Sequence, residues 1–331
     1  MKILYAVQAT GNGHIMRAKE NIPMLKKIAD VDILISGDLS EISLDGFDVK
    51  YKFKGLSFMY DNKGGLSYFK TFFNLKLLQF YKDIKGLDLS SYDFVVSDFE
   101  PVSAWACKIQ KKTCIISSNQ FSFMSDKVPR PKIKNFAAEA IFKHFAPSNK
   151  GIGFHYKSYD DFILEPKIRK ELANVKVENQ GFYVVYLSSY NKKRIFNVLS
   201  KFPDKKFYVF SKEVKFEYKH KNVYFSPIDK LDFTNKLIRS EGIITSAGFE
   251  TTSEGLYLGK KMLVIPIQGQ YEQKCNSIAL SKDFGDNCII SKELTMKSVS
   301  NLLHLKMPEK GIKFNSDYSY TEKILKLVSA E

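Results

Sequence analysis

The chain has little cysteine, little arginine and no long hydrophobic run, and each shortage closes off a class of protein. Only four cysteines occur, Cys107, Cys114, Cys275 and Cys288. None forms a C-x-x-C pair and no histidine stands at zinc-finger spacing from them, so a disulfide scaffold and a zinc finger are excluded. The thiols are expected to be buried and idle. Arginine is scarce beside lysine, and arginine is the residue that reads bases and forks phosphates in sequence-specific DNA binding. Nucleic acid is therefore the least supported partner. No apolar stretch reaches the ~18 residues of a membrane span. The run Ile3–Val7 behind Met1 and Lys2 is too short for a signal segment, so a cytoplasmic location is expected. Finally, no D-x-D motif closes a strand, and Asp160–Asp161 is an isolated pair; a dedicated metal site is not supported, and no cofactor is expected.

What is present is a normal folded composition with an unusual charge. Hydrophobic residues make up 44% and charged residues 26% of 331, which fits a globular protein of about two domains. Fifty-one basic against thirty-six acidic side chains leave a net charge of +15. The surplus is spread evenly, +7 over residues 1–150 and +8 over 151–331. Such a balance favours an anionic partner: a phosphorylated small molecule, an acidic membrane surface or nucleic acid.

Short apolar runs alternate with helical periods. Ile3–Val7 reads as a buried strand, Ala9–Gly13 as a turn, and Ile15–Ile28 as a helix with Ile15, Ala18, Ile22, Leu25 and Ile28 on one face. Val31–Ser36 is the next strand. Further strands are expected at Phe94–Ser97 and Cys114–Ser117, with a helix at Ser103–Lys111 between them. The pattern restarts with strands at Tyr183–Leu187, Lys206–Phe210, Val223–Ser226, Gly242–Thr245 and Met262–Ile265. Helices are expected at Lys192–Lys201, Asp229–Ser240, Thr251–Leu258, Glu272–Phe284 and Tyr320–Val328. Alternating β and α units imply parallel sheets with right-handed crossovers. Two such units of similar size predict an α/β fold of two Rossmann-like domains joined near Glu165–Arg169.

Two loops carry chemistry. Gly11-Asn12-Gly13-His14 follows the first strand, where glycines let backbone amides approach a ligand at a helix N-terminus. A dinucleotide fingerprint would need a third small residue where Met16 stands, which argues against a nicotinamide dehydrogenase. His14 sits where turn meets helix. There it can act as a general base, or simply cap and pack. The second loop follows the strand Gly242–Thr245. Ser246-Ala247-Gly248-Phe249-Glu250-Thr251-Thr252-Ser253-Glu254 opens a helix whose free amides can hold a diphosphate. Glu254 can accept ribose hydroxyls. Behind the next strand, which ends Ile265-Pro266, Glu272 and Gln273 at a helix head can bind sugar hydroxyls, and Asn276 follows. Each piece alone could be capping; their order and spacing together are hard to explain that way.

That order resembles the donor-binding region of GT-B glycosyltransferases, in particular the MurG-like nucleotide-sugar enzymes and the plant secondary-product box. The resemblance is carried by Ala247-Gly248-Phe249, Thr251-Thr252, Glu254, Pro266, Glu272-Gln273 and Asn276. Ser246 replaces the initial histidine of the plant box. The loop Gly11-Asn12-Gly13-His14-x-x-Arg17 and the segment Ser97-Asp98-Phe99-Glu100-Pro101 also resemble the family, so the likeness covers nearly the whole chain. It implies a GT-B fold, with an acceptor domain at 1–166, a donor domain at 167–317 and a last helix at 318–331 that returns to the first domain. It implies an inverting, metal-independent transfer of a hexosyl group from a nucleotide diphosphate sugar, with uracil as the base, to a hydroxyl acceptor. His14 would be the base, with Asp98 or Glu100 orienting it. Gly11, Asn12, Gly13, Ser246, Gly248, Phe249, Thr251, Thr252, Glu254, Glu272 and Gln273 would meet the donor. Arg17, Asn119 and Gln120 would face the acceptor. Two alternatives remain: a non-catalytic nucleotide-sugar binder and a sugar-nucleotide epimerase on the same fold.

Leu66–Lys85 mixes aromatics and leucines with Lys70, Lys76, Lys82 and Lys85, and a basic run follows at Lys127, Arg130, Lys132 and Lys134. Basic aromatic helices can lie on anionic membranes; the alternative is a core helix with a solvated lysine face. The lysine surplus that a diphosphate does not need fits an anionic acceptor or membrane surface near these segments.

Overall fold

Among the described residues, thirteen of the fourteen strands run parallel to a neighbour, in two sheets of seven. The computed structural model describes residues 1–9, 12–37, 44, 46–56, 76–173, 175–315 and 319–330. Gly11 and the first half of the Leu66–Lys85 stretch, including Lys70, lie outside the described residues.

The first sheet contains β1 (Lys2–Gln8), β2 (Asp30–Ser36), β3 (Tyr51–Phe53), β4 (Phe94–Asp98), β5 (Cys114–Ser118), β6 (Lys150–Phe154) and β7 (Ile163–Leu164), in the order β3-β2-β1-β4-β5-β6-β7. The strand β1 is buried on both faces, so its alternation splits the core. Ile3, Tyr5 and Val7 join one cluster while Leu4 and Ala6 join another. This is how a strand covered by helices on both sides reads in sequence, as a continuous apolar run. The helices of this half are α1 (Asn12–Leu25), α2 (Leu77–Gly86), α3 (Pro101–Gln110) and α4 (Phe136–His144).

The second sheet contains β8 (Phe182–Tyr186), β9 (Lys206–Phe210), β10 (Tyr218–His220), β11 (Val223–Ser226), β12 (Gly242–Thr245), β13 (Lys261–Val264) and β14 (Cys288–Ile290), ordered β10-β11-β9-β8-β12-β13-β14. Only the edge pair β10–β11 is antiparallel. Its helices are α5 (Lys192–Leu199), α6 (Lys230–Arg239), α7 (Phe249–Tyr257), α8 (Tyr271–Phe284) and α9 (Met296–His304). The last helix, α10 (Tyr320–Ser329), rests on the first sheet, where the Tyr320 hydroxyl donates to Ser117 Oγ at 2.9 Å.

The strands read from apolar runs stand within a residue or so of their expected places. The helix read as Ile15–Ile28 ends at Leu25, with Pro23 inside it. Strands β3, β6, β7, β10 and β14, helices α4 and α9, and a 3-10 turn at Asn119–Met124 were not expected. Both sheets reverse strand order at one place, between β1 and β4 and between β8 and β12. Open α/β sheets bind ligands in the crevice at such a switch point. One hydrophobic cluster includes residues of both sheets, from Ile3 and Tyr5 to Val184 and Ile243, and of α10.

Candidate active site

The two switch points supply the site. At the first, α1 begins directly behind β1, and His14 lies in its first turn. Asp98 is the last residue of β4, the neighbouring strand, and is fully buried. His14 Nδ1 and Asp98 Oδ1 are 2.8 Å apart. A carboxylate only accepts, so the bond assigns the proton to Nδ1 and leaves Nε2 as the ring's acceptor. Among the described residues Nε2 has no hydrogen-bond partner.

Arg17, one turn on, holds the other side of Asp98. Its Nε donates to Oδ2 at 2.9 Å and its Nη2 to Oδ1 at 3.0 Å, a two-toothed fork. Nη1 donates to Asn119 Oδ1 at 2.5 Å. Burial pushes the Asp98 carboxyl up, but Arg17 and His14 outweigh it and hold it below the usual carboxylate range. Burial likewise works against the Arg17 charge, and Asp98 and Glu250 overcome it. Arg17, expected on the acceptor side, lines the cleft and is the counter-ion of Asp98.

Glu100 was expected as a second orienter of His14, and the structure corrects this. Its carboxylate caps α3, accepting from Val102 N at 2.7 Å and Ser103 N at 2.6 Å, and also takes the Ser36 hydroxyl. All three hydrogen bonds of the carboxylate go to α3 and Ser36, and none reaches the His14 ring.

At the second switch point, β12 leads into Ser246 and Ala247, and Gly248 is the N-cap of α7 without any side-chain cap. The first amides of this helix are thus left for another acceptor. Asn276 on α8 donates to Ala247 O at 3.1 Å and fixes the turn. Thr251 borders the cleft. Thr252, expected at the phosphate, is corrected: it is fully buried, and its hydroxyl is shared between Gly248 O at 2.7 Å and the Tyr156 hydroxyl at 2.7 Å. The Phe249 ring packs on Tyr156 with centroids 5.2 Å apart, so its contribution is to the core and to the cavity wall.

A cavity of about 310 Å³ lies between the two sheets. Tyr186, Phe210, Ile228 and Phe233 are among its apolar lining residues, and Arg17, Glu250 and Glu254 among its charged ones. Glu254, expected free for ribose, is paired with Arg169 Nε at 2.6 Å. Burial nonetheless lifts its carboxyl above the usual range. Glu272 accepts from Gln120 Nε2 at 2.9 Å, which joins the two sheets across the cleft. Burial raises the Glu272 carboxyl, and nearby His14 opposes the rise. Gln273 accepts from Ile267 N at 3.0 Å and so shapes the loop ahead of α8. Asn119 is thus engaged by Arg17, and Gln120 holds Glu272 through Nε2 while its buried Oε1 has no partner among the described residues. Asn12 and Gly13 are the first two residues of α1.

Two residues went unread in the sequence. Arg169 sits in the connection between the sheets, where no motif marks it. Glu250 is the first-turn acid of α7, 3.6 Å from Arg17 Nη1; its place inside the motif passed for ordinary helix chemistry. Asp160 ties down a loop, accepting from Ser125 Oγ at 2.7 Å and Lys127 Nζ at 3.1 Å. Among the described residues no His, Cys, Asp or Glu side chains converge as a metal cluster would.

Comparison with known proteins matches this geometry to a family. The model for glycosyl transferase family 1 matches residues 1–308. No curated protein matches the sequence. Among solved structures the chain is similar to UGT89C1 of Arabidopsis thaliana complexed with UDP, at TM-score 0.63 and 13% identity over 99% of this chain and 98% of that one. It is similar to UGT2 of Phytolacca americana complexed with UDP-2-fluoro-glucose and pterostilbene, at TM-score 0.60 and 10% identity over 99% and 93%. It is also similar to MurG of Acinetobacter baumannii, at TM-score 0.57 and 12% identity over 98% of each. At these identities the likeness is one of fold, and the fold is GT-B.

Proposed function

The chain belongs to glycosyl transferase family 1 and is a glycosyltransferase, and from that premise we propose that it moves a hexosyl group from a uridine diphosphate sugar to a hydroxyl acceptor with inversion and without metal. The observation that carries this reading is the His14–Asp98 pair at 2.8 Å, placed at one switch point opposite the uncapped α7 turn at the other.

In the proposed reaction the acceptor oxygen attacks the anomeric carbon from the face opposite the leaving group. The new carbon–oxygen bond forms as the bond to the diphosphate oxygen breaks, so the configuration inverts. The acceptor proton passes to His14 Nε2, and Asp98 stabilises the imidazolium through Nδ1–H. The charge on the departing diphosphate is met by the first amides of α7. The apolar lining of the cavity takes the base, and Glu254 and Glu272 take hydroxyls of ribose and sugar. Leu77, Leu78, Tyr81, Ile133 and Phe136 are exposed beside surface lysines, which supports an anionic membrane as the place where the acceptor is met.

A thermal-shift screen with UDP, dTDP and GDP sugars tests the donor. A specific ligand raises stability by RT ln(1 + [L]/Kd). A rise with a UDP sugar is expected; no rise with any of them at saturation sinks the reading. His14→Ala is expected to keep that rise and to lose turnover. Turnover undiminished in the variant would remove His14 as the base.

A further inference from the structure

The seat prepared for an anion already holds one. The first turns of α1 and α7 approach each other, and the Glu250 carboxylate fills the gap between them. A Cβ built on Gly13 would lie 3.0 to 3.2 Å from the Glu250 carboxyl atoms, so the group is laid directly over the backbone of α1. Its Oε1 is 3.6 Å from Arg17 Nη1. Both arginines of the cleft are otherwise engaged, Arg17 by Asp98 and Asn119 and Arg169 by Glu254, while Lys167 and Lys230 also line the cavity. Among the described residues the Glu250 carboxylate accepts no hydrogen bond, and the glycine N-cap of α7 has no side chain to offer one. Its charge is felt by both Glu254 and Glu272, so three carboxylates share this end of the cleft.

We propose that Glu250 is an internal competitor for the donor's diphosphate: it occupies the space between the two helix N-termini in the empty enzyme and opposes a second anion there. The inference rests on the proposed donor. A diphosphate carrying roughly two negative charges and an ionised carboxylate within a few ångströms repel each other, with the solvent that reaches Glu250 screening part of the repulsion. To bind, the donor must turn the Glu250 side chain outwards, which its partial exposure allows: 40% of the side chain is open to solvent. A sugar nucleotide offsets that cost with its sugar contacts. The bare diphosphate product has none, so Glu250 favours product release and discriminates against free nucleoside diphosphate.

Isothermal titration tests this on the whole protein with UDP, dTDP and GDP and with the matching nucleosides. For the nucleotide that binds, Glu250→Gln is expected to tighten the diphosphate about tenfold, or about 1.4 kcal/mol, and to leave the nucleoside unchanged. Diphosphate affinity that is unchanged or weaker in the variant overturns the proposal. A parallel gain for nucleoside and diphosphate also overturns it, because the effect would then not belong to charge. If no diphosphate binds either protein, the donor reading itself falls. A melting curve of Glu250→Gln within a few degrees of the parent establishes that the comparison is between folded proteins.

Discussion

At the scale of single residues the site is organised around one buried carboxylate. Asp98 is fully buried, and its charge survives because Arg17 covers both oxygens and His14 takes the remaining direction. Removing one partner from such a pair is costly because the other charge is stranded. Arg17→Met is expected to lower stability by about 3–5 kcal/mol, read as a fall in the urea midpoint. Adding Asp98→Asn to that variant should recover part of the loss, since the stranded charge is then gone. A double variant as unstable as the sum of the two single ones would show that the pair does not act as a unit. The sequence pointed to both residues but not to their relation. His14 was legible as loop chemistry behind a strand and Asp98 through the family resemblance, whereas Arg17 read as an acceptor-side residue. Nothing in a linear pattern tells whether an arginine meets substrate or a carboxylate 81 positions away. Glu100 misled for the same reason: an acid before a proline at a strand end is equally a cap and a catalyst until its partners are seen.

At the scale of elements, legibility followed apolar continuity. The central strand Gly242–Thr245 is buried on both faces and Lys206–Phe210 on one, and both stand where they were read. The missed strands are edges, short pieces or glycine-bearing. β6 is the instructive one. A Cβ on Gly153 would meet Ser122 backbone at 2.6 Å, and one on Gly151 would meet Ile116 O at 2.8 Å. Glycine lowers strand propensity, yet here it lets the 3-10 turn lie against the sheet and delivers Asn119 and Gln120 to the cleft. A second element-level device is Lys260. It is fully buried and donates to Ile238 O at 2.7 Å, Ser240 O at 2.7 Å and Glu178 O at 2.9 Å, closing the end of α6. Burial pushes its ammonium down to about 8, against about 10.4 in an unfolded chain. Between these values the unfolded state binds more protons, so this group's contribution to stability rises with pH across that window and is least favourable below it. The stability of the parent relative to Lys260→Met should therefore climb from pH 8 to pH 10 in chemical denaturation. Parallel curves for the two proteins would contradict this.

At the scale of the whole molecule the charge surplus finds its place away from the cleft, which holds as many carboxylates as cations. Arg130, expected on a basic membrane face, is corrected: it is buried, paired with Glu139 at 2.9 Å and bonded to the carbonyls of Phe123, Ser125 and Val128. The remaining surface is still unusual. Leu78 is 82% exposed on α2, and Ile133 and Phe136 are 86% and 84% exposed at and before the start of α4. Lys76, Lys82, Lys85, Lys132 and Lys134 surround them in sequence and are exposed. Phe80 of α2 and Ile141 of α4 pack on one hydrophobic cluster, so both helices cover the same side of the first sheet. Among the described residues no helix is long and apolar enough to cross a membrane. Each lysine near an anionic surface contributes about 1 kcal/mol, and inserted apolar side chains add their transfer energy. The protein is therefore expected to sediment with phosphatidylserine-containing vesicles and not with phosphatidylcholine alone. Leu78→Asp with Phe136→Asp should abolish the binding while leaving donor affinity intact, since neither residue touches the cleft. Sedimentation that persists in this variant, or that ignores the lipid charge, would detach the lysine surplus from any membrane and leave an anionic acceptor as its explanation.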